Sequence, residues 1–172
     1  MPALTLVPKR LEIERVLTIL IGLPGSGKST FGREQRQKLP GLIIYEDFLG
    51  ACKPLDDDRG LFSLLCNVRD GKNIVADDVF LCRLDYRTTF ETLMRPFVSQ
   101  NYEVRWVYYT NSPDECRSNV ELRFRQTRIE NDRDRERAEA RRRHSLSWID
   151  GLKDKYNIPD DAEPVPVFRH PT

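Results

Sequence analysis

Apolar residues fall in short runs separated by longer stretches of mixed character. VLTILI at 16–21 is apolar, β-branched and stopped by Gly22, which predicts a buried strand. A glycine-rich turn follows, then a polar helix-like run over 29–39 that Pro40-Gly41 ends. LIIY at 42–45 predicts a second buried strand, and Asp56-Asp57-Asp58 a loop leading into a helix. Leu61, Leu64, Leu65 and Val68 then recur at helical spacing up to Gly71. NIVA at 73–76 predicts a third strand, stopped by Asp77-Asp78, and VRWVYY at 104–109 a fourth. Between them Phe90, Leu93, Met94 and Phe97 share one face of a helix over 85–100. Ser112-Pro113-Asp114-Glu115 is a helix start, with Ser112 as N-cap and proline at the first helical position. A last amphipathic helix carries Leu146, Ile149, Leu152 and Tyr156, and Pro159 ends it. VPVF at 165–168 has prolines beside it, as an edge strand would. Trp106 and Trp148 fall within apolar patterns and are expected in the core rather than as base-stacking platforms. Strands alternating with helices predict one domain over 1–172, built on a parallel sheet with right-handed crossovers.

Composition narrows the setting. With 172 residues, 39% apolar and 32% charged, the chain can bury a core and is not a disordered polyelectrolyte. No run approaches the ~20 apolar residues of a membrane span. The first fifteen residues mix Pro8, Lys9, Arg10, Glu12 and Glu14, unlike a signal peptide, so a cytoplasmic location is expected. Cys52, Cys66, Cys82 and Cys116 are scattered, and only His144 and His170 accompany them, so neither zinc nor disulfides are expected.

The net charge of +1 is a cancellation. Seven of the 28 basic residues are lysine and 21 are arginine, and ten of those arginines lie between Arg117 and Arg143. Six acids share that window, leaving a surplus of four positive charges, while the rest of the chain is net negative by three. Arginine grips phosphate through a planar fork of donors, so the segment is a candidate phosphate-handling surface. A solvated helix laced with i,i+4 ion pairs has the same composition. For Arg133 to Arg143, where acids alternate with arginines, that second reading is preferred.

GLPGSGKST, Gly22 to Thr30, matches G-x-x-x-x-G-K-[ST], with a buried strand before it and a helix after it. Gly22, Gly25 and Gly27, with Pro24 and Ser26 between them, let successive N–H groups point at phosphate oxygens. The positive end of the following helix adds to that field. Lys28 is expected to reach the β- and γ-phosphates, Ser29 to ligate Mg²⁺ and Thr30 to contact the α-phosphate. The chain lacks the Asn-Lys-x-Asp of a guanine-reading GTPase, and Asp57-Asp58-Arg59-Gly60 follows no strand. A P-loop near the start of a small α/β domain, with arginines in its last third, suits ATP-dependent phosphoryl transfer to an acceptor.

Ligands of open parallel sheets bind beyond the carboxyl ends of the strands. Glu46-Asp47 after the second strand and Asp77-Asp78 after the third lie there. One carboxylate can take the acceptor's proton, and another can hold Mg²⁺ through water. Asp77 is preferred in its pair; Glu46 and Asp47 stay open. Asp78, Arg83 and Arg87 are candidates to touch the acceptor. In the arginine-rich segment, 117–143, Arg117, Arg123, Arg125 and Arg128 lie nearer the fourth strand than the later group and are the better candidates for a lid, with Arg123, Arg125 and Arg128 expected to close on the moving phosphoryl group.

With GLPGSGKST, the two acidic pairs and the late arginines, the chain resembles the P-loop kinases related to the polynucleotide 5′-hydroxyl kinases and the zeta-toxin-like kinases. The resemblance spans roughly 16–156. It implies a three-layer α/β fold, a mostly parallel five-stranded sheet of order 2-3-1-4-5, an arginine-rich helical lid, and ATP and Mg²⁺ as cofactors. It also places Glu46 or Asp47 as general base on the acceptor hydroxyl. The family's arginine that grips a substrate phosphate falls near Leu49 here, and its Asp-Thr-Asn becomes Asp77-Asp78-Val79. The departure at Leu49 points away from an ordinary 5′-end and toward a hydroxyl on a modified base. Three acceptor classes follow: a nucleic-acid hydroxyl, touched locally rather than through a broad basic surface; a small metabolite or nucleotide; or none, if the domain is an ATP-binding switch.

Overall fold

The computed structural model describes residues 15–49, 60–99 and 102–169. The apolar runs become four strands: β1 (Arg15–Ile21), β2 (Ile43–Glu46), β3 (Ile74–Asp77) and β4 (Tyr102–Tyr108). All pair in parallel, in the order β2-β3-β1-β4. The helices are α1 (Lys28–Lys38), α2 (Leu61–Arg69), α3 (Leu84–Met94), α4 (Pro113–Gln126) and α5 (Asp132–Leu152). Two 3₁₀ turns, Val79–Cys82 and Arg95–Phe97, flank α3.

β1 is central because it is apolar on both faces. Leu17, Ile19 and Ile21 join Ile74 and Ala76 in the larger core, against Leu64 and Val68 of α2, Phe90 of α3 and Ile149 of α5. Leu20 turns the other way, to Leu42, Val75, Tyr109 and Phe31 of α1. The sheet is thus covered by α1 on one face and the remaining helices on the other.

Three expectations change. VPVF does not form a fifth strand: only Val165 bridges Tyr109, in parallel, so the sheet has four strands and one isolated bridge at its β4 edge. Pro164 and Pro166 have no N–H to extend that ladder. The later arginines and the last amphipathic helix are one element, the 21-residue α5, capped where Asn131 accepts from the Asp134 N–H at 2.9 Å. Ser112 does sit at the N-cap of α4 with Pro113 behind it, but its side chain makes no capping bond. Arg142 clamps α5 to α4 through Glu121 at 2.7 Å, and Arg117 of α4 pairs with Asp150. Of the sequence motifs, Asp57-Asp58-Arg59, Cys52 and His170 lie outside the described residues.

Candidate active site

The turn between β1 and α1 can be made only by glycine at two places. Gly25 and Gly27 hold φ of +85° and +108°. A Cβ on Gly27 would come within 2.5 Å of the Phe168 Cβ, and one on Gly25 within 2.4 Å of the Cys116 carbonyl oxygen. The turn is therefore packed from outside as well as curled from within. Asn119 of α4 does the fastening: its amide donates to the Gly25 carbonyl at 2.9 Å and to the Phe168 carbonyl at 2.6 Å. The Phe168 N–H in turn donates to the Ser26 carbonyl at 3.0 Å. Ser26 is fully buried, and its hydroxyl has no partner. Lys28 is buried too, its ammonium donating to the Gly22 and Leu23 carbonyls at 2.7 and 3.2 Å. Buried donors around a turn that tolerates no side chain are what an anionic phosphate chain requires.

Parallel register brings the strand-end acids beside this turn: Asp77 stands level with Leu20 of β1 and with Glu46 of β2. Asp77 is only 7% exposed, and its carboxyl is pushed up to about 7. Burial is the main cause; the Lys28 cation opposes it, while Asp47, Glu46 and Asp78 add to it. Asp78 is raised to about 6, again chiefly by burial, against the backbone N–H groups of Phe80 and Leu49 that favour its charge. Those bonds, 2.9 Å from Phe80 and 2.6 Å from Leu49, make Asp78 the cap of the Val79–Cys82 turn and the tie to the loop after β2. Asp47 has φ +52°, the left-handed region a non-glycine residue rarely adopts, and its N–H donates to the Asp77 carbonyl at 2.8 Å. Glu46 and Asp47 are both exposed.

These groups line one cleft of about 770 Å³. Of the residues picked from sequence, Pro24, Gly25, Gly27, Lys28, Ser29, Thr30, Glu46, Asp47, Asp77, Asp78 and Arg123 all line it. Others do not. Arg87 is 2% exposed, donating to Asn157 at 2.6 Å with its guanidinium over the Tyr108 ring, because α3 turns it into the core. Arg83 precedes α3 and is held by Asp85 at 2.6 Å, off the cleft wall. Arg125 is exposed and lines neither the cleft nor the adjoining groove of about 300 Å³ between α4 and α5, which Arg128 lines with Arg137 and Arg141.

The cleft also contains residues that sequence reasoning missed: Arg33, Phe80, His144, Trp148 and Phe168. Trp148 meets the expectation of a core place only in part: it packs against the core half-buried, with its ring edge-on to Phe80 at 5.0 Å. The available signal was its spacing of four from His144, one helical turn along the same face. Among the described residues no three His, Cys, Asp or Glu side chains converge to enclose a metal ion. Mg²⁺ needs no such cage, since it keeps several waters and takes one or two protein oxygens beside phosphate.

Comparison with known proteins now decides the family. Residues 17–146 match the AAA_33 family, described as an AAA domain. The chain belongs to that family. An uncharacterized protein of Acanthamoeba polyphaga mimivirus is 28% identical over 112 residues, covering 64% of this chain and 75% of that protein. Two solved structures share the fold of this AAA_33 domain. One, from the Pnkp1/Rnl/Hen1 RNA repair complex, superposes with a TM-score of 0.51 at 15% identity, over 91% of this chain. A fungal RNA kinase superposes with a TM-score of 0.50 at 13% identity, over 83% of this chain. The chain spans 50% and 65% of the lengths of those two proteins. Its architecture is the nucleotide-binding P-loop kinase fold. Among the described residues no helix is long and apolar enough to cross a membrane.

Proposed function

We propose that this protein is an ATP- and Mg²⁺-dependent kinase that phosphorylates a hydroxyl of a nucleic acid, either a 5′-hydroxyl end or a hydroxymethyl group on a DNA base. The observation that carries the reading is the meeting of Lys28 with Asp77, Asp47 and Glu46 in one cleft beside a phosphate-binding turn. Carboxylates at the ends of two neighbouring strands leave one for Mg²⁺ and another for the acceptor's proton. The fold shared with a protein of an RNA repair complex and with a fungal RNA kinase, and the arginines on the cleft's α4 and α5 side, support a nucleic-acid acceptor.

In this reading the turn from Gly22 to Ser29 holds the donor's phosphates, with Lys28 released from the Gly22 and Leu23 carbonyls to the phosphate oxygens. Ser29 and Asp77 hold Mg²⁺, which when bound offsets negative charge on the phosphates. Ser29 is exposed at the first turn of α1, and the Asp77 carboxyl lies at the carboxyl end of β3 lining the same cleft, so both suit a cation. The acceptor hydroxyl gives its proton to a carboxylate as its oxygen bonds to the γ-phosphorus and the bond to the β-phosphate oxygen breaks. Asp47 is preferred over Glu46 for that proton. Its left-handed backbone is fixed by the bond to Asp77, and it acts on the Asp77 carboxyl more strongly than Glu46 does. Arg123 neutralises charge on the moving phosphoryl group.

The test is a screen for transfer of labelled γ-phosphate to single- and double-stranded oligonucleotides, with plain and hydroxymethylated bases, beside a panel of small alcohols and nucleotides. Label on an oligonucleotide is expected. Label confined to a small metabolite would replace the acceptor, and bound ATP with no transfer to anything would indicate a switch.

A further inference from the structure

Four aromatic side chains are gathered beside the strand-end acids, and the proton-transfer chemistry uses none of them. Phe80 lies three residues beyond Asp77, on the 3₁₀ turn that Asp78 caps. Its ring stacks on Tyr86 at 5.1 Å and 25°, and meets Trp148 of α5 edge-on at 5.0 Å. Trp148 donates its indole N–H to His144 Nε2 at 2.7 Å, so its polar edge is satisfied within the cluster. The Arg83 guanidinium sits 4.8 Å from the Tyr86 ring centroid and supports the cluster from behind. A purely structural cluster would be sealed. Here Phe80, His144 and Trp148 line the open cleft, His144 is exposed and Tyr86 is 38% exposed.

Sheet order tells which ligand meets these rings. The P-loop follows β1; β3 and β2, with their acids, lie to one side of it, and β4 and the Val165 bridge to the other. Phe168, beyond that bridge, packs on Gly27 and marks the far end of the cleft. The donor's phosphates occupy the middle, so Phe80 and Trp148 stand on the acceptor's side, next to Asp77 and Asp47. We propose that Phe80 and Trp148, backed by Tyr86 and His144, form a stacking platform for the unpaired base next to the acceptor hydroxyl, so that the acceptor is the flexible end of a single strand. The inference rests on the kinase reading and narrows it to 5′-ends, reversing the preference for a modified base that the departure at Leu49 suggested. Every base presents a π-face, so the platform selects for an unstacked base and not for sequence. The groove between α4 and α5 shares Arg123 and Ser145 with the cleft, and offers Arg137 and Arg141 to the phosphates that follow. A free nucleoside offers the same ring without those phosphates.

The test compares transfer to three acceptors: a single-stranded oligonucleotide, the same strand with an abasic 5′-terminal nucleotide, and a free nucleoside. The enzymes are wild type, Phe80→Leu, Phe80→Tyr and Trp148→Ala, with melting temperatures confirming that each is folded. For wild type, removing the terminal base should raise KM by roughly 5- to 150-fold, the range of one base stacked on an aromatic ring, with kcat little changed. Phe80→Leu keeps apolar volume but lacks the ring. It should have nearly the same KM with and without the base, as should Trp148→Ala, while Phe80→Tyr restores the difference. Quenching of a 2-aminopurine placed at the 5′ end should follow the same order. Equal KM for normal and abasic strands in wild type would overturn the platform while leaving the kinase intact. A nucleoside used as well as the strand would overturn the strand-end assignment. Label on none of the three would overturn the platform together with the nucleic-acid reading beneath it.

Discussion

Asp77 costs the folded protein stability wherever it is charged. Its carboxyl is raised to about 7 in the fold, from an ordinary 3.8, chiefly because it is buried. The folded state therefore holds that proton more tightly than the unfolded chain does. The penalty is absent below about pH 4, grows as pH rises toward 7 and is fully present above it. In buffer with chelator, Asp77→Asn should melt with wild type near pH 4 and several degrees above it at pH 8, each kcal/mol being worth roughly 2–4 °C in a chain of this size. A shift independent of pH would mean that the buried carboxyl is not the source. Asp77→Asn should nevertheless lose phosphoryl transfer, the usual conflict between stability and function at a site. The two neighbouring acids separate by rate: Asp47→Asn should lower kcat by at least ~10²-fold and Glu46→Gln by much less, measured at saturating ATP. The reverse order would move the proton acceptor to Glu46.

At the scale of elements, the 3₁₀ turn after β3 depends on one side chain. Asp78→Ala removes the acceptor for both the Phe80 and Leu49 N–H groups. Denaturant unfolding should show a loss of about 1–3 kcal/mol, with Asp78→Asn recovering only part of it, since its amide offers one acceptor oxygen where the carboxylate offers two. Arg87 makes the opposite case. Its Nε and Nη1 are buried without a hydrogen-bond partner, so Arg87→Met should leave kcat and KM within about twofold and stability little changed or improved. A tenfold rise in acceptor KM would instead return Arg87 to the acceptor site. Both residues were marked by sequence as acceptor contacts, and the reason only one lines the cleft is instructive. Asp77-Asp78 ends a strand, so its place at the sheet edge follows from the apolar run before it. Arg87 lies within a helix, and which face turns inward is settled by packing against the distant Tyr108 and Asn157, which local pattern does not show. The glycine-rich turn, the strands and the acids were legible because each depends on short local pattern. Trp148 and Phe168 were not, since their roles arise from α5 crossing the 3₁₀ turn and from the last segment folding onto Gly27.

For the molecule as a whole, the +1 net charge describes neither end of the site. The acids gather at the strand ends and the arginines along α4 and α5, so a polyanionic acceptor meets positive charge on one wall and proton-accepting carboxylates on the other. Binding of an oligonucleotide should weaken as salt rises, with a modest slope set by the few phosphates that the groove between α4 and α5 can reach. A small alcohol used as acceptor would be nearly indifferent to salt. Phosphoryl transfer at this cleft depends on Lys28, a cation that the phosphate turn and Asp77 share. Single-turnover transfer of labelled γ-phosphate from ATP to a 5′-hydroxyl oligonucleotide, by wild type and by Lys28→Ala, tests it most directly. A labelled strand is expected with wild type and none with the variant, whereas full transfer by Lys28→Ala, or none by either protein, would refute phosphoryl transfer at this cleft.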